Sequence, residues 1–193
     1  EPDTVVPEDD IWEMDLEALL NVEISTVSKK TETISEAPAI VSVITAEEIE
    51  TLGVQTLPDL MRYVPGFTVS DVYWRGPIIT ARGVAMTLYN DKILMLIDGV
   101  PAYEPVTLEY YLDVVPVTVI ERIEIIRGPG STLYGTNAFS AVINIITLDG
   151  KKHKGSMAYL KGGSFNTRGG GFAFGDENNG FSYFVGGTVT DND

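Results

Sequence analysis

The stretch "RGPGSTLYGTN", residues 127 to 137, is the place in this chain where residue types and spacing most suggest chemistry. It follows the apolar run "VIERIEII", and Gly130 to Gly135 reads G-x-x-x-x-G, the opening of a phosphate-cradling loop. Such a loop also needs Lys and Ser or Thr at the start of the next helix. Thr136 and Asn137 stand there instead. The dinucleotide fingerprint fails too, because Gly128 and Gly130 are not followed by a third glycine at the required position. These glycines are expected to serve tight backbone turns rather than a nucleotide.

Other chemistry is equally thin. The single histidine, His153, stands beside Lys151, Lys152 and Lys154, a solvated charge cluster rather than a general base. With no cysteine in the chain there is no thiolate, and no nucleophile with its base or zinc-ligand spacing can be assembled. "DENNG" and "DND" suit turns better than a calcium loop. No catalytic residue, metal or cofactor is expected. A net charge of -15 argues against nucleic acid, which needs clustered Lys and Arg. No apolar run approaches the roughly 20 residues of a membrane helix. "EPDTVV" shows no basic or apolar leader, so any signal peptide is expected to have been removed.

Three regions differ in composition. Residues 1–36 form an acidic arm, with eleven carboxylates against Lys29 and Lys30. Within it Ile11, Met14, Leu16, Leu19 and Leu20 fit one face of a short helix capped by Asp9 or Asp10. The segment after it alternates Val22, Ile24 and Thr26 with Glu23, Ser25 and Val27, an extended strand without a partner.

Residues 37–150 read as a compact α+β domain. A strand leads into a helix capped by Thr45 with Glu48 and stopped by Gly53. A second helix carries Pro58 in its first turn and ends at Pro65-Gly66. Strands are expected at "FTVS", "IITARGV", "KILMLIDG", "VIERIEIIRG" and "AVINIIT", with a short helix near "LEYYLDVV".

Residues 151–193 are dense in glycine and aromatics, with turns at "SFNTRG" and "GDENNG". Met157 and Tyr159 share one face, Phe172 and Phe174 another, and Phe181, Tyr183 and Val185 alternate with Ser182 and Gly186. Three antiparallel strands of about 9 to 11 residues match the weak period of a transmembrane β-barrel. Three strands cannot close a barrel. They belong either to a longer chain or to the edge of a soluble sandwich.

The series "APAIVSVITAEEI", "LPDLMRYVPGFTVS", "TARGV", "MLIDGVPAY" and "IERIEIIRGPGSTLYGTNAFSAVINIIT" resembles, in order and spacing, the plug domain of TonB-dependent outer-membrane receptors over about 110 residues. The resemblance implies an α+β plug with a small mixed four-stranded sheet and short helices, followed by the first antiparallel strands of a 22-stranded transmembrane β-barrel, truncated here. The parent chain is then expected to continue past Asp193.

The family takes up scarce nutrients, most often iron-siderophore complexes, across the outer membrane of Gram-negative bacteria, and the periplasmic partner TonB supplies the energy. By resemblance the TonB box is Val22, Glu23, Ile24, Ser25, Thr26, Val27 and Ser28, an extended segment suited to β-augmentation; the alternative is a plain linker. Arg82 and Arg127 are implied to lock the plug to glutamates of the barrel wall. The alternative pairs Arg127 within the domain, with Glu121 or Glu124. Tyr73, Trp74, Arg75 and Tyr103 are the candidate ligand-facing loop residues, the alternative being local packing. A rival to the transporter is a free periplasmic plug-like module that binds ligand or TonB without transporting.

Overall fold

The computed structural model describes residues 23–24, 32–33, 40–73, 76–83, 90–111, 115–128, 130–164 and 166–191. The helix expected before Asn21 lies outside them. In the acidic arm, two-residue strands β1 (Glu23–Ile24) and β2 (Glu32–Thr33) pair antiparallel, Glu23 opposite Thr33 and Ile24 opposite Glu32.

Strand β3 (Ile40–Thr45) leads into helix α1 (Ala46–Leu52) through the expected capping box. The Glu48 N–H donates to the Thr45 hydroxyl at 3.3 Å, and the Thr45 N–H donates to the Glu48 carboxylate at 2.7 Å. Gly53 then closes the helix. Helix α2 (Leu57–Met61) begins at Thr56, whose hydroxyl accepts from the Asp59 N–H, and Pro58 occupies the first turn, where its missing N–H has no partner to lose. Its Leu57, Leu60 and Met61 are buried. The chain continues into the hairpin β4 (Phe67–Val72) and β5 (Gly76–Ala81).

The central sheet runs β3-β8-β9-β6-β7, with β6 (Ile93–Ile97), β7 (Val100–Pro101), β8 (Ile120–Arg127) and β9 (Ala141–Thr147). Only β6 and β9 are parallel, so the sheet is mixed. Four strands of five or more residues form the expected small sheet, and two-residue β7 extends its edge. Ile93, Met95, Ile123, Ile125, Ile143 and Ile145 pack with Ile49, Leu57, Leu60 and Met61 from the helices. Leu94, Leu96, Ile126 and Val142 point the other way, against Ala138 and Tyr134. Burial on both faces is why "ILMLI" and "AVINII" read as unbroken apolar runs rather than alternations.

The helix expected near residues 108–115 is absent from 108–111. Leu108 has a φ of 59° and donates its N–H to Glu104 O in a turn. The nearest helical residues are a 3-10 turn at Val117–Val119, directly after Pro116.

Strands β10 (Gly155–Gly162), β11 (Arg168–Asn178) and β12 (Phe181–Asp191) form an antiparallel meander. Its register places Leu160, Phe172, Phe174, Phe181, Tyr183, Val185 and Val189 on one face, all exposed. The opposite face carries Gly169, Gly171, Ala173, Gly175 and Gly186, with Met157, Tyr159 and Phe184 among them. This glycine-rich face meets the central domain, where a Cβ on Gly186 would lie 2.8 Å from Val119 Cγ1. Among the described residues no helix is long and apolar enough to cross a membrane, which says nothing of strands.

Candidate functional site

Arg127 ends β8, opposite Ile40 on β3 and Ala141 on β9. Its Nη2 donates to Ser42 Oγ at 2.6 Å, and its buried Nε has no hydrogen-bond partner among the described residues. Arg82 follows β5 with a φ of 54° and its N–H donates to Gly66 O at 2.8 Å. Its guanidinium reaches across to donate through Nη2 to the Arg127 carbonyl at 3.4 Å. The two arginines singled out by the sequence therefore meet at one corner of the sheet, beside Gly128. No described carboxylate forms an ion pair with either.

Glu121 and Glu124 are not the partners of Arg127. Arg122 takes both, Nη1 to Glu121 at 2.8 Å and Nη2 to Glu124 at 2.9 Å. Arg122 and Glu124 share a face that Arg127 does not, by the two-residue period of the strand, while Glu121 adjoins Arg122 at the irregularity between Ile120 and Arg122 and lies six residues from Arg127. Glu124 is fully buried, opposite Asn144 of β9. Glu121 also receives Lys152 at 2.6 Å, which ties β8 to the turn before β10. Burial, and then the nearby Glu124 carboxylate, push the Tyr134 phenol above its ordinary pKa.

The glycine loop uses its own N–H groups. Gly128 donates to Ser140 O and Gly130 to Ala138 O, while Tyr134 and Gly135 donate to Gly130 O and Ser131 O. The last two close the one-turn helix α3 (Ser131–Tyr134), and the first two tie the loop to the residues before β9. Gly128 and Gly135 hold positive φ values of 128° and 73°. Gly130 does not; it is small for another reason, since a Cβ there would stand 2.7 Å from Val142 Cγ2.

Tyr73 is fully exposed just after β4, and Tyr103 lies in the segment after β7. Trp74 and Arg75 lie outside the described residues. A cleft of about 400 Å³ opens at the end of β6 and β9 remote from β10, lined by Asp91, Lys92, Leu108, Thr136, Asn137 and Phe139. Neither tyrosine lines this cleft. Lys92 is neutralised by Asp91 at 2.7 Å, and Asn137 donates to Leu108 O at 2.5 Å. The sequence marks Thr136 and Asn137 only as a departure from a phosphate loop; the further signal is Asn137 itself, an Asn two positions after Gly135 that adopts a φ of 70°.

At the opposite end, the Asp149 carboxylate accepts the N–H groups of Lys151 and Lys152 at 2.7 and 2.9 Å. The Lys152 N–H leads in holding that carboxyl below its ordinary pKa. Lys154 pairs with Glu177 of β11 at 3.4 Å, a second tie across the junction. Of the segment Val22 to Ser28, only Glu23 and Ile24 are described, in β1; Val22, Ser25, Thr26, Val27 and Ser28 lie outside.

The model of the TonB-dependent receptor plug domain matches residues 33–142. Among curated proteins, a vitamin B12 transporter, BtuB, of Vibrio vulnificus is 34% identical over 142 residues, covering 72% of this chain and 22% of its own length. The iron-regulated outer membrane virulence protein of Vibrio cholerae is 36% identical over 137 residues, covering 63% of this chain and 19% of its own. The chain thus spans about a fifth of the curated relatives it matches. Among solved structures, the pyoverdine outer membrane receptor FpvA of Pseudomonas aeruginosa superposes with a TM-score of 0.70 at 20% identity, over 93% of this chain and 26% of that one. The alcaligin outer membrane receptor FauA of Bordetella pertussis gives 0.67 at 18%, over 89% of this chain and 29% of that one. Both show the same fold.

Proposed function

Because this chain belongs to the family of TonB-dependent receptor plug domains, we propose that it is the N-terminal portion of an outer-membrane transporter of a Gram-negative bacterium. Its cargo is a scarce nutrient, a ferric siderophore, and TonB supplies the energy from the periplasm. The family is one of receptors, not enzymes.

One observation carries the reading. The three-stranded meander turns Leu160, Phe172, Phe174, Phe181, Tyr183, Val185 and Val189 outward, and toward the central domain it turns a glycine-rich face on which Tyr159 and Phe184 pack over Gly171, Gly175 and Gly186. That is the arrangement of a barrel wall around a plug, lipid outside and close packing inside. A free periplasmic module would leave this face in water, where a contiguous apolar patch is a liability. Arg82 and Arg127 fit a lock whose carboxylates lie on the wall, since a half-buried guanidinium with an unpartnered Nε calls for an acceptor.

The similarity to vitamin B12 transporters favours a corrinoid as a second reading of the cargo. A receptor deletion strain complemented with the full-length gene separates the two. Growth restored on ferric siderophores as sole iron source supports the first reading, and restored cobalamin-dependent growth supports the second. Restoration of neither removes the transport reading. The TonB box has its own test: Ile24→Pro removes one N–H and fixes φ, and is expected to abolish capture of the TonB C-terminal domain. Unchanged capture would take Val22–Ser28 out of that role.

A further inference from the structure

The outward face of the meander is not smooth. Across β10, β11 and β12 one row of its register holds Leu160, Gly170 and Val189, and the next holds Ala158, Phe172 and Gly187. Large and small residues alternate in both directions, and a groove of about 930 Å³ runs over Gly170 and Gly187 between Leu160, Phe172 and Val189. Leu160 leans over Gly170, its Cδ2 3.0 Å from where a Cβ would stand, and the Phe172 ring lies 3.6 Å from the same point at Gly187. Strands that continue the wall pair with the free edges of β10 and β12, so they leave this face open.

One row further along β11, about 7 Å away on the same face, stands Arg168. Its Nη2 donates to Asn166 Oδ1 at 3.0 Å. Asp191 lies opposite in register, yet Arg168 forms no ion pair among the described residues. Arg168 follows the connection of residues 163–167, whereas the other end of the sheet closes on the tighter turn Asn179–Gly180. In walls of this kind short turns face the periplasm and longer connections face outward, which puts Arg168 on the outer-leaflet side. A long side chain there carries its charge up toward the headgroups and leaves the groove below it in hydrocarbon.

We propose that the groove and Arg168 together bind a phosphate-bearing lipid of the outer leaflet, an acyl chain lying over Gly170 and Gly187 and the guanidinium holding the phosphate. This rests on the reading of the meander as barrel wall. The groove alone would accept any chain. The cation at its outer end selects an anionic headgroup, because a guanidinium pairs with phosphate through two parallel N–H donors.

The test uses the full-length receptor in non-ionic detergent, titrated with dioleoylphosphatidic acid or with dioleoylglycerol, which has the same chains and no phosphate. Bound lipid is counted by native mass spectrometry. The phosphatidic acid is expected to bind about tenfold more tightly, and Arg168→Gln, at an exposed position, to remove that margin while leaving the neutral lipid unchanged. Gly187→Leu, whose Cβ meets the Phe172 ring at ordinary contact distance, fills the floor and is expected to weaken both lipids about threefold or more. Equal binding of the two lipids by the wild type, a margin that survives Arg168→Gln, or displacement of the phosphatidic acid by equimolar inorganic phosphate would each overturn the proposal. A nitroxide at Val185→Cys, on the same face of a chain without cysteine, is the reference in phosphatidylcholine vesicles. If a water-soluble nickel chelate relaxes it more than oxygen does, the barrel-wall reading has failed rather than the lipid site.

Discussion

At Gly130 there is no room for a side chain. Val142 Cγ2 stands where a methyl would go, so Gly130→Ala is expected to lower stability by about 1 to 3 kcal/mol. Adding Val142→Ala should recover some of that loss, a coupling that urea unfolding of the single and double variants would measure. Asp149 makes a prediction in pH. Its pKa is lowered by the Lys152 and Lys151 amides, so its stabilisation of the junction turn is present above the ordinary carboxylate pKa and is lost as pH falls through the lowered one. Exchange protection of the Lys151 and Lys152 amides should therefore persist at mildly acidic pH and vanish only below the usual Asp range. At this scale the sequence showed that the loop needs turns, because glycine clusters imply positive φ. It did not show that Gly130 answers to Val142, nor that Arg122 takes the glutamates that stand near Arg127. The first depends on which elements meet, of which a linear spacing holds no record; the second follows from neighbouring positions and the two-residue period within β8 and was open to a reading of that strand.

For single elements the local code was easier to read. The capping box at Thr45 and Glu48 is written within four residues, so both its hydrogen bonds were foreseeable. Thr45→Ala should cost about 1 kcal/mol, read as a lowered unfolding midpoint with helix α1 fraying first. The segment "LEYYLDVV" misled because its apolar spacing fits a helix while its backbone answers to other constraints. Leu108 turns with a positive φ, and Asn137 holds the Leu108 carbonyl from a loop 29 positions away. The cleft at Asp91, Lys92 and Asn137 was hidden for the same reason, as three separate segments meet only after the sheet has formed.

For the molecule as a whole, the two faces of the meander make the membrane reading testable. Leu160 lies almost wholly exposed on the apolar face. In the full-length receptor, Leu160→Arg is expected to destabilise the inserted barrel by about 2 to 4 kcal/mol if this level lies near the bilayer midplane, measured by reversible unfolding in lipid vesicles. A substitution without effect would mean that this face does not meet hydrocarbon. The weak alternation of glycine and aromatics was visible in the sequence. Which face turns inward was not, because that follows from the contact of Gly186 with Val119 across domains.

The direction of β3 has a mechanical meaning. It is the edge strand of the central sheet, and its first residue, Ile40, lies opposite Arg127, at the end of the sheet remote from the Thr147 junction. A pull entering at Ile40 and directed toward the junction would load the six residue pairs of β3 and β8 in series, so that they separate in succession like a zip. The same pull directed away from the junction would load all six together in shear. The sheet is thus weak toward one side and strong toward the other, and the geometry of one edge strand sets which is which.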